Sequence, residues 1–212
     1  MTKVSASILS DTIKAADIVK ELDKTKVDFI HLDIMDGKFV DNKSWTYGEI
    51  KKIVSYTNKK LDAHFMVNDP KKYIEDYALL NTEYFTFHYE TQKDVNEIIN
   101  LVKSYGLRVG ISINPDTDVE VLFPYLNNID LALIMSVVPG KSGQGFIEDT
   151  PNKISKLKEE ITRIESKTLI EVDGGINDET GKLCLIAGAD ILVSASYIHK
   201  NIKDNVNTLK NL

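Results

Sequence analysis

The chain has 212 residues, of which 42% are hydrophobic and 27% charged, and its formal net charge is −6 at pH 7. This length and composition are sufficient for one globular domain with a large apolar core, and the single cysteine, Cys184, can form no internal disulfide. The acidic charge argues against nucleic-acid binding, which needs a basic face, and no apolar stretch is long enough to cross a bilayer. We therefore expect a single domain over residues 1–212 that works in the cytoplasm on a small molecule, with no nucleic-acid or membrane partner.

Short β-branched or aromatic segments alternate with longer amphipathic segments, a pattern typical of repeated βα units on a parallel sheet. The predicted strands are the apolar segments 4–9, 29–34, 61–67, 84–88, 108–113, 131–135, 168–172 and 191–193. The predicted helices are the amphipathic segments 11–22, 70–80, 94–105, 118–126, 153–164 and 180–187. Asp11 and Asp118 are expected to cap the starts of two of these helices, and Gly106 to follow the end of a third.

Eight such units, without a linker or a change in composition, predict a closed (β/α)8 TIM barrel. The alternative is an open, doubly wound sheet that binds a dinucleotide. That fold carries a G-x-G-x-x-G turn after its first strand, whereas residues 7–10 contain no glycine. The closed barrel is therefore the preferred prediction.

Polar residues lie at the C-terminal ends of the predicted strands, where TIM barrels carry their active sites. His31, Asp33 and Met35 are spaced by two on the second strand, so an extended chain turns all three to one face. His64 lies on the third strand and Asp173 follows the seventh. A local hydrogen bond explains each of these polar residues taken alone, but two imidazoles and two carboxylates together predict a divalent metal site.

Three methionines, Met35, Met66 and Met135, also lie at predicted strand ends. Core packing explains them as isolated residues, whereas beside a metal they would form a dry cover for a planar intermediate. His88 and Glu90 follow the fourth strand. The sequence favours a supporting or structural role for this pair over a catalytic one.

Glycine-rich turns follow the last three strands. The segment 139–143 follows the sixth strand, Gly174 and Gly175 follow the seventh, and 195–196 follows the eighth. Glycine lets backbone N–H groups approach a phosphate closely, and TIM barrels frequently bind phosphate in the loops after strands seven and eight. Tight turns alone also explain such glycines, but their repetition at one end of the barrel predicts a phosphate site, to which Lys141 would add positive charge.

Several of these segments resemble motifs of the ribulose-phosphate 3-epimerase family. The resemblance runs in order from about residue 4 to residue 198, and its H-L-D-x-M-D-G motif is highly specific. The matching segments are S-I-L at 7–9, H-L-D-I-M-D-G at 31–37, H-F-M-V at 64–67, P-G at 139–140, G-Q at 143–144, F-I at 146–147 and V-D-G-G-I at 172–176.

The resemblance implies a TIM barrel of the ribulose-phosphate-binding type with one divalent metal, zinc, iron(II), manganese or cobalt, on His31, Asp33, His64 and Asp173. It also implies that Asp33 and Asp173 exchange protons on opposite faces of a substrate carbon through a metal-stabilised enediolate. A homo-oligomer is a further expectation from the family. The residues expected to contact the substrate are Ser7, Met35, His64, Met66, Met135, Gly140, Lys141, Ser142, Gly143, Gly174, Gly175, Ala195 and Ser196.

The sequence departs from the family pattern in the expected phosphate loop, at Val138, Lys141 and Ser142, and Ala195 stands where glycine is usual. Ala195 can present its N–H to a phosphate only if the backbone there needs no positive φ. Residues 41–48 also differ from the pattern, so the conformation of this loop is not predicted. The departures concern the choice of sugar phosphate and leave the four expected metal ligands intact.

The leading hypothesis is 3-epimerisation of D-ribulose 5-phosphate to D-xylulose 5-phosphate, a step of the pentose phosphate pathway. One alternative is the same reaction on another ketose phosphate, such as D-allulose 6-phosphate. A second alternative, of another class, is an inactive barrel that only binds sugar phosphates. A related lyase or decarboxylase would need a catalytic lysine inside the barrel, and no lysine lies at a matching position in the middle of a predicted strand.

Overall fold

The computed structural model describes residues 2–9 and 14–212, which form a closed barrel of eight parallel strands. The strands are β1 (Lys3–Ser7), β2 (Phe29–Met35), β3 (Lys60–Met66), β4 (Thr82–His88), β5 (Arg108–Ile113), β6 (Leu131–Met135), β7 (Leu169–Asp173) and β8 (Ile191–Ser194). They pair in chain order, and β8 pairs with β1 to complete the ring. The predicted TIM barrel is therefore confirmed, and the open sheet is excluded because the described strands leave no free edge.

All eight predicted strands are present, and each of their ends lies within two residues of the prediction. Helices cover the outside of the barrel. They are α1 (Ala15–Asp23), α2 (Tyr47–Val54), α3 (Lys71–Ala78), α4 (Val95–Ser104), α5 (Thr150–Arg163), α6 (Asp178–Ala187), α7 (Ser196–Lys200) and α8 (Ile202–Lys210). Over the described part of the chain, no helix has the length and apolar character needed to cross a membrane.

The three predictions about helix ends have different outcomes. The segment predicted as a helix at 118–126 is instead a 3₁₀ helix over Val119–Tyr125, and Asp118 makes no capping bond with its side chain. Pro124 lies inside this segment, where it lacks an N–H donor and disfavours a regular α-helix. Gly106 follows α4 with φ +77°, as expected of a residue that ends a helix. Asp11, the other predicted cap, lies outside the described residues.

Helix α2 was not predicted, although its start carries a recognisable signal. Thr46 Oγ1 accepts a hydrogen bond from Glu49 N, and the Glu49 carboxylate accepts one from Thr46 N. This capping box satisfies backbone N–H groups that have no partner within the helix. It therefore fixes the end of the loop at residues 41–48, whose conformation the sequence left open.

The strands place apolar side chains on both faces of the barrel wall. On β2, Ile30, Leu32 and Ile34 pack outward into the main core beneath the helices. The inward-facing residues near the starts of the strands form a second, apolar cluster of Phe29, Tyr84, Leu131 and Ile191, with Leu169 against it. This cluster closes the N-terminal end of the barrel. Buried polar side chains that face inward, such as those of His31, Asp33 and Asp62, consequently lie in the middle and at the C-terminal end.

Candidate active site

Four side chains predicted to bind a metal meet at the C-terminal end of the barrel. His31 and Asp33 project inward from β2, His64 comes from β3, and Asp173 ends β7. The register of the sheet places Asp33 directly beside His64. One nitrogen or carboxylate oxygen from each of the four lies within 4.8 Å of the others. The structure thus brings together residues that are up to 142 positions apart in sequence, Asp173 minus His31.

The spacing of these atoms suits a metal better than direct hydrogen bonds. Asp33 Oδ1 lies 3.5 Å from both His31 Nε2 and His64 Nδ1, and Asp173 Oδ2 lies 3.8 Å from the same two nitrogens. Two ligands about 2.1 Å from one ion in tetrahedral geometry are about 3.4 Å apart. Both nitrogens are buried and have no hydrogen-bond partner among the described residues. The donor set therefore fits a divalent cation such as zinc.

The other ring nitrogen of His31 is held by a buried carboxylate. Asp62 Oδ2 lies 2.7 Å from His31 Nδ1 and also accepts a hydrogen bond of 2.7 Å from Ser5 Oγ. Burial by itself lowers the pKa of His31, but the charges of Asp62 and Asp33 outweigh it and raise that pKa well above its usual value. These charges favour a protonated His31 ring in the metal-free chain, and Nε2 faces the position that a metal cation would take.

Asp33 and Asp173 have pKa values shifted in opposite directions. Burial tends to raise the pKa of Asp33, but the neighbouring His31 and His64 outweigh it and hold this pKa well below its usual value. Burial, followed by the charge of Asp33, raises the pKa of Asp173 to about 7. Ser7 Oγ donates a 2.7 Å hydrogen bond to Asp33 Oδ2, which leaves Oδ1 facing the histidines. Divergent pKa values in a carboxylate pair are typical of an acid and base that act together.

Sequence reasoning missed two buried carboxyl groups behind this cluster, Asp62 and Glu171. Each is fully buried and lies two residues before a predicted metal ligand, Asp62 before His64 and Glu171 before Asp173. Burial, followed by the charge of Asp62, raises the pKa of Glu171 well above its usual value. The same two-residue spacing that identified the inward face of β2 would have placed both of them inside the barrel.

The cavity above the carboxylates is walled by the predicted phosphate loops. Its lining includes Ser7, Asp33 and Asp173 at the floor and the residues predicted to contact phosphate, which are Gly140, Lys141, Ser142, Gly143, Gly174, Gly175, Ala195 and Ser196. Met66 and Met135 also line it. Met35 is buried but borders a neighbouring cleft together with Asp36 and Ser44.

Backbone geometry explains the glycines after β7. Gly174 and Gly175 have φ values of +123° and +63°, in or near the left-handed region. A Cβ atom at Gly175 would lie 2.7 Å from Phe146 N, and one at Gly174 would lie 2.4 Å from Val137 Cγ2. Ala195 has a φ of −114°, so this position requires no positive φ and the alanine can present its N–H.

The loop after β2 is tied to the phosphate loop. Asn42 Nδ2 donates a 2.7 Å hydrogen bond to Gly140 O, and Val40 packs against the same glycine. The carboxylate of Asp36 accepts from the backbone N–H groups of Lys38 and Phe39 and, across to the loop after β3, of Asn68. These bonds give the loop after β2 a defined position at the mouth of the cavity.

Comparisons with known proteins place the chain in a family. The model of the Ribulose-phosphate 3 epimerase family matches residues 3–199. Ribulose-phosphate 3-epimerase of Methanocaldococcus jannaschii is 40% identical over 214 residues, covering 100% of this chain and 90% of that protein. The protein of the same name from Chlamydia pneumoniae is 37% identical over 206 residues, covering 93% and 90% respectively. The crystal structure of KGPDC from Streptococcus mutans, at 14% identity, shares the fold with a TM-score of 0.73 over 100% of this chain and 96% of that one. The chain belongs to the ribulose-phosphate 3-epimerase family and is an isomerase that acts on carbohydrates.

Proposed function

We propose that the chain interconverts D-ribulose 5-phosphate and D-xylulose 5-phosphate by epimerisation at C3, with one divalent metal bound. The observation that carries this proposal is the pair of carboxylates from β2 and β7. Oxygens of Asp33 and Asp173 approach the same two histidine nitrogens to within 3.8 Å, and the two pKa values are shifted apart. The names of the curated relatives support the choice of reaction. A cytoplasmic location and a homo-oligomeric state remain predictions.

The two aspartates would move one proton across the plane of the substrate. In one direction Asp33, which is ionised, accepts the C3 proton at Oδ2, the oxygen that does not face the two histidines, and Asp173 delivers a proton to the opposite face of the planar enediolate. In the other direction the roles are exchanged, because the carboxylate that has accepted a proton becomes the acid for the reverse step. Ser7 steadies Asp33 by its hydrogen bond to Oδ2.

The metal would be held by His31 Nε2, His64 Nδ1 and one oxygen each of Asp33 and Asp173. A divalent cation there supplies a Lewis acid that stabilises negative charge on the substrate oxygens at C2 and C3. Two imidazoles and two carboxylates suit zinc, iron(II), manganese and cobalt alike. Asp62 would keep the proton of His31 on Nδ1, so that Nε2 presents its lone pair to the ion.

The phosphate of the substrate would lie against the backbone N–H groups of Gly174, Gly175 and Ser196. Among the described residues that line the cavity above Asp33 and Asp173, Lys141 has the only cationic side chain. The carboxylates of Asp33 and Asp173 form the floor of the same cavity. We infer that Lys141 compensates part of the phosphate charge. Met66 and Met135 would shield the planar intermediate from water.

Proton exchange at C3 gives a direct test. Metal-loaded protein is incubated in D₂O with D-ribulose 5-phosphate, D-allulose 6-phosphate and unphosphorylated D-ribulose, and deuterium at C3 is followed by NMR. We expect fast exchange and epimerisation of the pentose phosphate, and faster turnover of the hexose phosphate would reassign the substrate. Absence of exchange with every sugar, together with binding of sugar phosphates, would favour the inactive binding barrel.

Two single variants distinguish a two-base mechanism from a one-base mechanism. Asp33→Asn and Asp173→Asn should each lower epimerisation by about 10²–10⁴-fold, the usual contribution of a positioned acid or base. Each variant should retain C3 exchange in one epimer only, because one face of the carbon keeps its base. Asp118→Asn is the control, since Asp118 is exposed and makes no capping bond with its side chain. Exchange in both epimers by either active-site variant would contradict the proposal.

A further inference from the structure

A chain of hydrogen bonds leads away from the second predicted metal ligand. His64 Nε2 lies 2.8 Å from His88 Nε2, and His88 Nδ1 lies 3.2 Å from Glu90 Oε2. Both imidazole side chains are fully buried. The contacts therefore run in series from His64 on β3 through His88 at the end of β4 to a carboxylate in the turn that follows.

Only one arrangement of protons satisfies this series when both rings are neutral. A close contact between two ring nitrogens needs one donor and one acceptor. His64 must keep Nδ1 unprotonated if that atom is to face a cation, so its proton lies on Nε2 and is donated to His88 Nε2. His88 then carries its own proton on Nδ1 and donates it to Glu90 Oε2, which as a carboxylate can only accept.

Glu90 is itself fixed by the loop after β5. Its other oxygen, Oε1, accepts hydrogen bonds from Asn114 N at 2.7 Å and Thr117 Oγ1 at 2.5 Å. Burial tends to raise the pKa of Glu90, but these bonds and the one from His88 lower it to about 2. Both carboxylate oxygens are thus committed as acceptors, and the side chain cannot turn away from His88 without losing them.

We propose that Glu90 is a positioning residue of the metal centre, which sets the ring protonation of His88 and, through it, makes His64 present Nδ1 to the metal. The inference rests on the metal site of the proposed function, which it extends by two residues. It also explains why the two histidine ligands are supported differently. His31 meets its carboxylate, Asp62, directly, whereas His64 reaches Glu90 only through the intervening ring of His88.

The variant Glu90→Gln would place a hydrogen-bond donor, instead of an acceptor, opposite His88 Nδ1. The substituted amide has one acceptor oxygen, and keeping that oxygen on Asn114 N and Thr117 Oγ1 turns the NH₂ group towards His88 Nδ1. His88 must then accept at Nδ1 and carry its proton on Nε2, opposite the N–H of His64. Two donors would face each other across 2.8 Å, so His64 can no longer hold its ring in place for the metal.

The protonation of the rings can be read by NMR of ¹⁵N-histidine protein, since the chain contains only four histidines. We expect His88 to be protonated on Nδ1 in the unmodified chain, with or without zinc, and on Nε2 in the Glu90→Gln variant. The dissociation constant for zinc, measured by competition with a chelator, should rise about 10–100-fold in the variant, as is usual when a partner of a metal ligand is lost.

Two further variants complete the experiment. Glu97→Gln, at an exposed glutamate on α4, should leave the ring protonation and the zinc affinity unchanged. Glu90→Asp keeps a carboxylate and should restore protonation of His88 on Nδ1. A His88 ring protonated on Nε2 in the unmodified chain would overturn the inference, and so would unchanged zinc affinity in Glu90→Gln. Failure of the unmodified chain to bind zinc would contradict the proposed function instead, and the metal-free spectrum would still report on His88.

Discussion

Alanine at Gly175 should disturb both the fold and the phosphate site, and neighbouring glycines provide internal standards. Gly175 has a φ of +63°, and a Cβ atom there would lie 2.7 Å from the backbone nitrogen of Phe146. Gly143 has a similar φ of +74°, but a Cβ at this position has no atom within 4 Å. At Gly145 no left-handed φ is required, and an added Cβ atom would also have no atom within 4 Å. The three positions separate backbone strain from steric overlap.

The magnitudes follow from these contacts. Alanine in the left-handed region costs about 1–2 kcal/mol, which is the whole effect expected at Gly143. The Cβ–nitrogen distance at Gly175 is about 1 Å shorter than the optimal separation of non-bonded atoms, and overpacking of this kind adds about 1–3 kcal/mol. Gly145→Ala should be neutral or stabilise the fold by up to about 1 kcal/mol, because it restricts the unfolded chain.

Denaturant unfolding of the three variants measures these differences. We expect the free energy of unfolding to fall by about 2–5 kcal/mol in Gly175→Ala, from the sum of strain and overlap. The displaced loop should also raise KM for the sugar phosphate at least about 10-fold, since small displacements in a binding site are costly, and Gly145→Ala should leave KM unchanged. Equal losses of stability in Gly175→Ala and Gly143→Ala would refute the steric argument.

Three further predictions concern charge. In the folded, metal-free chain the pKa of Asp173 is raised to about 7. The protonated carboxyl group therefore contributes stability that is complete below pH 4 and is lost as the pH rises through 7. Asp173→Asn should flatten this part of the stability profile in chelator-treated protein. Lys141→Met should raise KM for the sugar phosphate about 10-fold and leave turnover of the unphosphorylated sugar unchanged, whereas Lys38→Met, at an exposed lysine outside the cavity, should change neither. Asp62→Asn should weaken zinc binding about 10–100-fold in a chelator competition, because His31 loses a charged acceptor, and unchanged affinity would show that Asp62 does not orient that ring.

The strands could be predicted well because burial on both sides of the barrel wall requires a short, mostly apolar segment at each strand. The segment Arg108–Ile113 is bounded in the structure as the sequence predicts, and so is Leu131–Met135. The helices were less regular. At Val119–Tyr125 a proline inside an amphipathic segment produced a 3₁₀ helix, and α2 was missed although Thr46 and Glu49 carry its capping signal.

The candidate site was likewise predicted only in part from the sequence. The spacing of His31 and Asp33 by two identifies an inward face, and the positions of His64 and Asp173 at other predicted strand ends add two more ligands. Nothing in the local sequence says which buried acid serves which histidine. That pairing depends on the register between β2 and β3, which sets Asp62 opposite His31 and His64 opposite Asp33.

By itself the sequence determined the repeated βα pattern, the absence of a dinucleotide turn and the polar residues at strand ends, because these depend on short-range periodicity and backbone conformation. Only the tertiary structure decided that oxygens of Asp33 and Asp173 lie within 3.8 Å of the same two histidine nitrogens. It also decided that Ala195 needs no positive φ and that Glu90 is connected to His64 through His88. Closure of the barrel joins strands that are distant in the chain, and hydrogen bonding inside it depends on distances of a few ångströms that residue spacing does not encode.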